Sequence, residues 1–202
     1  MIYVIMGKSA TGKDTVFRQL MKKEELGLNK IVPYTTRPQR FGETEGEDYH
    51  FVDEEEMKRL DKAGLIAEHR EYNTVKGVWH YFTVDDNPDV CNNELSFMMI
   101  GTVEAFLSLR KYFGNDMVIP IYIYVNDYER LIRSINRERK QDKPNYEEVC
   151  RRYIADEQDF SSENLNAAGI DARYRYNNSD LKLCINNIVK DLLGNRDDNI
   201  SQ

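Results

Sequence analysis

The chain has 202 residues, of which 41% are hydrophobic and 31% are charged. This length is typical of one domain, and the apolar content is sufficient for a packed core and too high for a disordered chain. The formal charge of −7 comes from 28 Lys and Arg residues against 35 Asp and Glu residues. It argues against nucleic acid as a partner, because polyanions are held by an excess of cations.

Neither a membrane segment nor a disulfide framework is expected. The longest uncharged apolar run, Met117–Val125, is much shorter than the about 20 residues of a spanning helix, and the N-terminus lacks the features of a signal peptide. Cys91, Cys150 and Cys184 are odd in number and far apart, which fits neither disulfides nor a zinc site. We therefore expect free thiols and a cytoplasmic protein.

Strand-like and helix-like segments alternate along the chain, which predicts an α/β fold with a mainly parallel sheet flanked by helices. A β-branched run over Ile2–Met6 predicts the first strand, which ends at Gly7. Apolar residues then recur at helical spacing over Asp14–Lys23. A second short strand is predicted over Ile31–Tyr34.

Residues 35–85 have a different pattern, which predicts a small, mostly β insertion with one helix. The helix is expected over Asp53–Ala63, where acidic residues form its first turn. The strands are expected over Tyr49–Val52, Leu65–Tyr72 and Val78–Val84.

The α/β pattern resumes after residue 85. Strands are predicted over Leu95–Ile100 and Met117–Val125, and the unbroken apolar character of the second suits the centre of a parallel sheet. Helices are predicted over Thr102–Tyr112, Asp127–Arg139 and Tyr146–Phe160. A last strand is predicted over Arg173–Tyr176, followed by a helix over Ser179–Leu193 with Ser179 as its N-cap. The polar residues 194–202 are expected to form a frayed tail.

The first strand leads into a phosphate-binding loop of the GxxxxGK pattern, formed by Gly7, Lys8, Ser9, Ala10, Thr11, Gly12 and Lys13. Its strand-to-helix context is the one that the motif requires, because backbone N–H groups and the helix N-terminus then surround phosphate oxygens. Asp14 replaces the usual Ser or Thr, so we expect Thr15 to offer the hydroxyl on the magnesium side. The loop predicts nucleotide and phosphoryl chemistry.

Three motifs follow the loop: Thr35-Thr36-Arg37-Pro38-Gln39-Arg40, then Gly42-Glu43, then Gly46-Glu47-Asp48-Tyr49-His50-Phe51. With these motifs the chain resembles the guanylate kinase family from residue 2 to about residue 193. The resemblance implies Mg²⁺-dependent transfer of the γ-phosphate of ATP to GMP, and also to dGMP. It further implies a P-loop nucleoside monophosphate kinase core (1–34, 86–126 and 161–193), an inserted GMP-binding domain (35–85) and a helical lid (127–160).

The resemblance also assigns the acceptor site. Two arginines three residues apart, Arg37 and Arg40, can grip one phosphate through forked hydrogen bonds. In the family this is the phosphate of GMP, with Tyr49 donating to the same group. Glu68 takes the position that reads the guanine edge, with Glu71 as an alternative. The remaining GMP-binding residues are Tyr81 and Thr83.

The lid segment is basic, with eight Lys and Arg residues against four acids over residues 130–152. Arginines brought onto a triphosphate neutralise charge on the transferred group. By resemblance these are Arg133, Arg137 and Arg152, which act with Lys13, and Arg139 competes with Arg137 for the assignment. Asn177 falls near the family's Val-Asn-Asp motif beside the ATP adenine.

Two departures from the family leave alternatives open. Pro33 replaces a serine that helps to read the guanine carbonyl, and Gly101 replaces an acidic residue after the central strand, for which Thr102 or Glu104 could compensate. One alternative is a related kinase with another phosphorylated acceptor, such as ribose 1,5-bisphosphate. The other is a non-catalytic binding module, which the intact phosphate loop disfavours.

Overall fold

The computed structural model describes residues 1–74, 77–87, 90 and 95–200, with the backbone alone for 195–200. The strands are β1 (Ile2–Met6), β2 (Leu28–Lys30), β3 (Tyr34–Thr35), β4 (His50–Phe51), β5 (Ile66–Thr74), β6 (Gly77–Val84), β7 (Ser96–Ile100), β8 (Val118–Tyr124) and β9 (Arg175–Asn177). The helices are α1 (Lys13–Leu20), α2 (Glu54–Lys62), α3 (Val103–Phe113), α4 (Asp127–Glu138), α5 (Tyr146–Asp159), α6 (Ser162–Ala167) and α7 (Leu181–Ile200).

A five-stranded sheet has the order β2-β7-β1-β8-β9, and β8 pairs in parallel with β9. Strand β1 lies in the middle and is buried along its whole length, since all five of its side chains are apolar. Strand β8 is an interior strand between β1 and β9, whereas its apolar run had suggested the centre of the sheet. The α/β fold predicted from the sequence is confirmed.

A separate four-stranded sheet has the order β4-β3-β6-β5. Strands β5 and β6 form an antiparallel hairpin in which Glu68 lies opposite Thr83 and Arg70 opposite Tyr81. Helix α2 contributes Leu60 to a small core with Phe82. The side chain of Asp53 accepts a hydrogen bond from the N–H of Glu56, so this helix begins where the acidic first turn predicted it.

The chain divides into two compact units. The first comprises Met1–Tyr3, Asn29–Met99 and Glu104–Ile119 and contains the four-stranded sheet. The second comprises Val4–Leu28, Ile100–Val103 and Pro120–Gln202 and contains the phosphate loop with helices α4 to α7. The finer division into core, insertion and lid stays a prediction.

Several predicted boundaries were wrong. In place of a strand over Ile31–Tyr34, β2 ends at Lys30 and β3 begins at Tyr34, with Pro33 between them, which has no N–H for a strand ladder. Helix α7 continues to Ile200 where a frayed tail had been expected. Its N-terminal cap is Asp180, which accepts from the N–H of Leu183, and not Ser179.

Helix α6 was not predicted from the sequence, although Ser161 caps it by accepting from the N–H of Asn164. Among the predicted free thiols, Cys150 is exposed, Cys184 is buried, and neither forms a disulfide. Cys91 lies outside the described residues. Within the described part of the chain, no helix combines the length and apolar character needed to cross a membrane.

Candidate functional site

Two glycines shape the phosphate loop. A Cβ on Gly7 would lie 2.3 Å from the backbone oxygen of Ile123, so only glycine fits this close approach. Gly12 has a φ of +87°, in the left-handed region that glycine adopts without strain, and a Cβ there would lie 2.5 Å from Nδ2 of Asn178. The residue types of the motif therefore follow from the backbone path.

The loop leads into α1, which begins at Lys13. The first N–H groups of a helix lack intrahelical partners and attract anions. A cavity of about 860 Å³ lies against this helix start, and it brings together loop residues and lid arginines that are far apart in the sequence. Its lining comprises Ser9, Ala10, Gly12, Lys13, Asp14, Thr15, Arg18, Arg133, Arg137, Arg152, Asn178, Ser179 and Leu181.

The remaining predicted loop residues lie beside this cavity in the fold but do not line it. Thr11 is buried and its Oγ1 donates to the backbone oxygen of Lys8 at 2.9 Å. The Nζ of Lys8 lies 2.7 Å from Oε2 of Glu157. Gly7 is buried at the end of the first strand. These three residues therefore support the loop's shape.

Two of the three lid arginines, Arg133 and Arg152, are held by neighbouring acceptors. The Nη2 of Arg133 donates to the backbone oxygen of Asn178 at 3.1 Å, and the Nε of Arg152 donates to Glu148 at 2.7 Å. Hydrogen bonds from Arg151 and Arg152 lower the pKa of Glu148 to about 2. Arg139 is the C-cap of α4 and is not part of the cavity lining, whereas Arg137 is.

Of the two adjacent asparagines, Asn178 is the one in the cavity lining. It is 5% exposed, and its Nδ2 donates to the backbone oxygen of Thr11 at 2.8 Å. The predicted residue, Asn177, is exposed, and its side chain accepts from the N–H of Ser179. Asn178 was not predicted from the sequence, because the sequence does not show which of two adjacent asparagines corresponds to the one in the family's motif.

In the first unit, Arg37 is the centre of a cluster of polar side chains. It is 3% exposed and makes a bidentate ion pair with Glu43, with N···O distances of 2.7 and 2.6 Å. These hydrogen bonds raise the pKa of Arg37. Its Nε donates to the hydroxyl of Tyr81 at 3.0 Å, and its Cζ lies 4.9 Å from the ring centre of Tyr49.

The structure brings three of the predicted acceptor residues together, Arg37, Tyr49 and Tyr81. Burial raises the pKa of Tyr49. The side chain of Arg40 is exposed, while its backbone N–H donates to Glu43 at 2.8 Å. Glu43 of the Gly42-Glu43 motif therefore contacts both arginines.

Glu68 is a buried carboxylate with a full set of partners. Its side chain has no solvent exposure, and it pairs with Arg70 through N···O distances of 3.0 and 3.1 Å. The hydroxyl of Thr83 donates to the same carboxylate at 3.0 Å. The alternative residue, Glu71, is exposed and lies 3.9 Å from His80. Arg70 was missed in the sequence, although it follows Glu68 by two residues and side chains at this spacing lie on the same face of a strand.

Comparisons with known proteins agree with this geometry. The family model described as Guanylate kinase matches residues 1–82. The guanylate kinase of Anaplasma phagocytophilum (strain HZ) is 34% identical over 142 residues, which cover 70% of this chain and 65% of that protein. The guanylate kinase of Porphyromonas gingivalis (strain ATCC BAA-308 / W83) is 28% identical over 190 residues, which cover 94% of each chain.

The alignment with the Anaplasma relative thus spans just under two thirds of that protein's length. The fold is also that of the crystal structure of guanylate kinase from Anaplasma phagocytophilum, with a TM-score of 0.65 at 22% identity, over 97% of this chain and 86% of that chain. The matched family model and these relatives show that the chain belongs to the guanylate kinase family.

Proposed function

We propose that this protein transfers the γ-phosphate of ATP to GMP or dGMP, giving ADP and the corresponding nucleoside diphosphate. The observation that carries the proposal is the cavity of the second unit, where a phosphate loop and three lid arginines share one lining. Such an arrangement fits a triphosphate, since it offers backbone donors, a helix N-terminus and several cations to one anion. The family membership supports the same reaction.

The reaction is an in-line displacement at phosphorus. A non-bridging phosphate oxygen of the acceptor attacks the γ-phosphorus and forms a new P–O bond, while the bond to the β–γ bridging oxygen breaks and its electron pair leaves with ADP. The attacking oxygen is already anionic, so no general base is required. Lys13, Arg133, Arg137 and Arg152 would neutralise charge on the transferred group, because phosphoryl transfer depends mainly on positioning and electrostatics.

The first unit would hold the acceptor. Arg37, Arg40 and Tyr49 would bind its phosphate, which presents oxygens to the forked guanidinium donors. Glu68, Tyr81 and Thr83 would contact the nucleoside. In this assignment the ion pair with Glu43 pre-orients Arg37 before the acceptor arrives.

Magnesium would enter with ATP. The residues at the start of α1 fit this ion, because Mg²⁺ takes one or two protein oxygens together with phosphates and water. Thr15 offers a hydroxyl and Asp14 a carboxylate, and both line the cavity. When bound, the ion would offset charge on the phosphates. No group of three His, Cys, Asp or Glu side chains within the described residues could hold a metal without a substrate.

One observation favours a different phosphorylated acceptor. Guanine presents two adjacent N–H donors, but the Glu68 carboxylate already accepts two such donors from Arg70 and a third hydrogen bond from Thr83. Pro33 offers no donor to the guanine carbonyl. A related kinase acting on a sugar phosphate such as ribose 1,5-bisphosphate is therefore the second candidate.

The proposal is tested by steady-state kinetics of matched lid variants. We expect Arg137→Ala to lower kcat with GMP by on the order of 10³-fold, the effect of losing an arginine that contacts the transferred group. Lys140→Ala removes an exposed cation of the same segment and is expected to leave kcat unchanged. Equal, small effects of the two substitutions would refute the proposed role of this cavity.

We also propose a reducing, cytoplasmic compartment for the protein. Its support is that Cys150 and Cys184 are free thiols, as is usual for proteins of the cytosol.

A further inference from the structure

A buried ion-pair network lies behind the lid arginines. At its centre is Arg130, which is 1% exposed although it lies on helix α4. Its Nη1 donates to Oδ2 of Asp156 at 3.1 Å, and its Nη2 pairs with Glu157 and, at 3.3 Å, with Asp127. The Cζ of Arg130 also lies 4.1 Å from the ring centre of Tyr153. A buried guanidinium with this many partners fixes α4 against α5.

The same network extends to the phosphate loop. The backbone N–H of Ser9 donates to Oδ2 of Asp156 at 2.7 Å, so one carboxylate oxygen joins the loop to Arg130. The Nζ of Lys8 pairs with Glu157 at 2.7 Å. Two neighbouring acids on α5 therefore attach this helix to the two loop residues that precede Ala10. The catalytic assignments above make no use of this attachment.

Helix α5 also presents Arg152, four residues before Asp156. Residues at this spacing lie on one face of a helix. Arg152 lines both the cavity of the phosphate loop and an adjoining cavity of about 550 Å³ that Asp156, Arg130 and Ser9 also line. The side chain of Arg152 is 54% exposed, so its position depends on where its helix is held.

We propose that Asp156, held by Arg130, is a positioning residue that fixes Arg152 relative to the phosphate loop. The inference rests on the proposed function, because it takes Arg152 as a cation for the transferred phosphoryl group. A displacement of about 1 Å at a reacting centre can cost on the order of 10²-fold in rate. Asp156 attaches α5 directly to the phosphate loop one helical turn away from Arg152. This attachment is suited to prevent a displacement of Arg152.

A double-mutant cycle tests the inference. We expect Asp156→Ala to lower kcat by between about 10-fold and 100-fold with an unchanged KM for the acceptor. Asp156→Asn keeps an oxygen that can accept from Ser9, so it should stay within about threefold of the parent kcat. In an Arg152→Ala background, Asp156→Ala should have little further effect, because coupled residues are non-additive.

A loss of the same factor in both backgrounds would overturn the inference, as would equal losses for Asp156→Ala and Asp156→Asn. If Asp156→Ala does not fold, Arg130→Lys replaces it in the cycle, because lysine keeps the positive charge but cannot make the forked contact. We expect the effect of Arg130→Lys on kcat to depend on Arg152 in the same way. Additive effects of Arg130→Lys and Arg152→Ala would contradict the inference. Each variant is also assayed for slow ATP hydrolysis without acceptor. If the Asp156 and Arg152 substitutions are non-additive in the rate of ATP hydrolysis but GMP is not phosphorylated, the inference is supported and GMP is refuted as the substrate.

Discussion

At the scale of single residues, two buried ion pairs dominate the first unit. Arg37 pairs with Glu43, and Glu68 pairs with Arg70, in each case with a bidentate contact. A buried charge is tolerated only when a partner compensates for its lost hydration. The sequence indicated Arg37 through its motif and Glu68 through its position on the strand after the helix of the insertion, but it did not identify Glu43 and Arg70 as their partners.

We predict that Arg70→Met lowers the free energy of unfolding by about 3–5 kcal/mol, because it leaves the fully buried Glu68 carboxylate without its cation. Urea denaturation measures this change. The matched control is Arg59→Met, which breaks an exposed bidentate pair with Glu56 and should lower the free energy of unfolding far less, because water already solvates both charges. If the two variants lost similar free energies of unfolding, burial would not determine the cost of breaking an ion pair.

A second prediction concerns acid. The pKa of Glu148 falls from 4.5 to about 2 through hydrogen bonds from Arg151 and Arg152, and that of Glu43 is lowered mainly by Arg37. A carboxyl whose pKa is lower in the folded protein contributes stability above pH 4.5, and this is lost as the pH falls towards 2. We therefore expect the Tm to drop across this window.

Thermal melts of the parent protein and of Glu148→Gln at a series of pH values check this expectation. The variant should lose less Tm between pH 4.5 and 2, since its amide cannot titrate. Identical pH profiles for the two proteins would contradict the role assigned to Glu148.

At the scale of elements, prediction succeeded where the signal was local. Helix α2 was placed correctly because Asp53 caps it and its apolar residues are periodic, and α5 follows a polar break that contains Pro144. The short strands β2 and β3 were misplaced because strands of two or three residues are defined by pairing, which sequence periodicity does not record.

The phosphate loop gives a prediction at this scale. Gly12→Ala should weaken ATP binding at least tenfold, because alanine is strained at a φ of +87° and its Cβ would meet Asn178 at 2.5 Å. Titration with a fluorescent ATP analogue measures the affinity without requiring turnover.

The control for this substitution is Gly114→Ala. Gly114 has a similar φ of +99°, but a Cβ added there would meet no heavy atom of the described residues within 4 Å. This variant should lose some stability from backbone strain and keep its ATP affinity. If both variants lost the same ATP affinity, backbone strain alone would explain the loss, and the contact of the added Cβ with Asn178 would play no part.

At the scale of the whole molecule, each compact unit contains one of the two clusters to which the proposed function assigns a substrate. The second unit contains the phosphate loop with the lid arginines, and the first contains Arg37 with Tyr49 and Tyr81. The loop was predictable because its function requires contiguous residues. Asp156 was not predictable, since it contacts Ser9 and Arg130, which are distant in sequence. Asn178 was missed because the choice lay between two adjacent asparagines.

The proposed reaction of this protein is the phosphorylation of GMP by ATP. The most direct measurement is ADP release with Mg²⁺ and ATP in the presence of GMP, dGMP, AMP, UMP, CMP or ribose 1,5-bisphosphate, with the phosphorylated product identified. We predict turnover with GMP and dGMP that is lost in Arg37→Ala. Turnover with ribose 1,5-bisphosphate alone, or ATP binding without turnover of any acceptor, would contradict it.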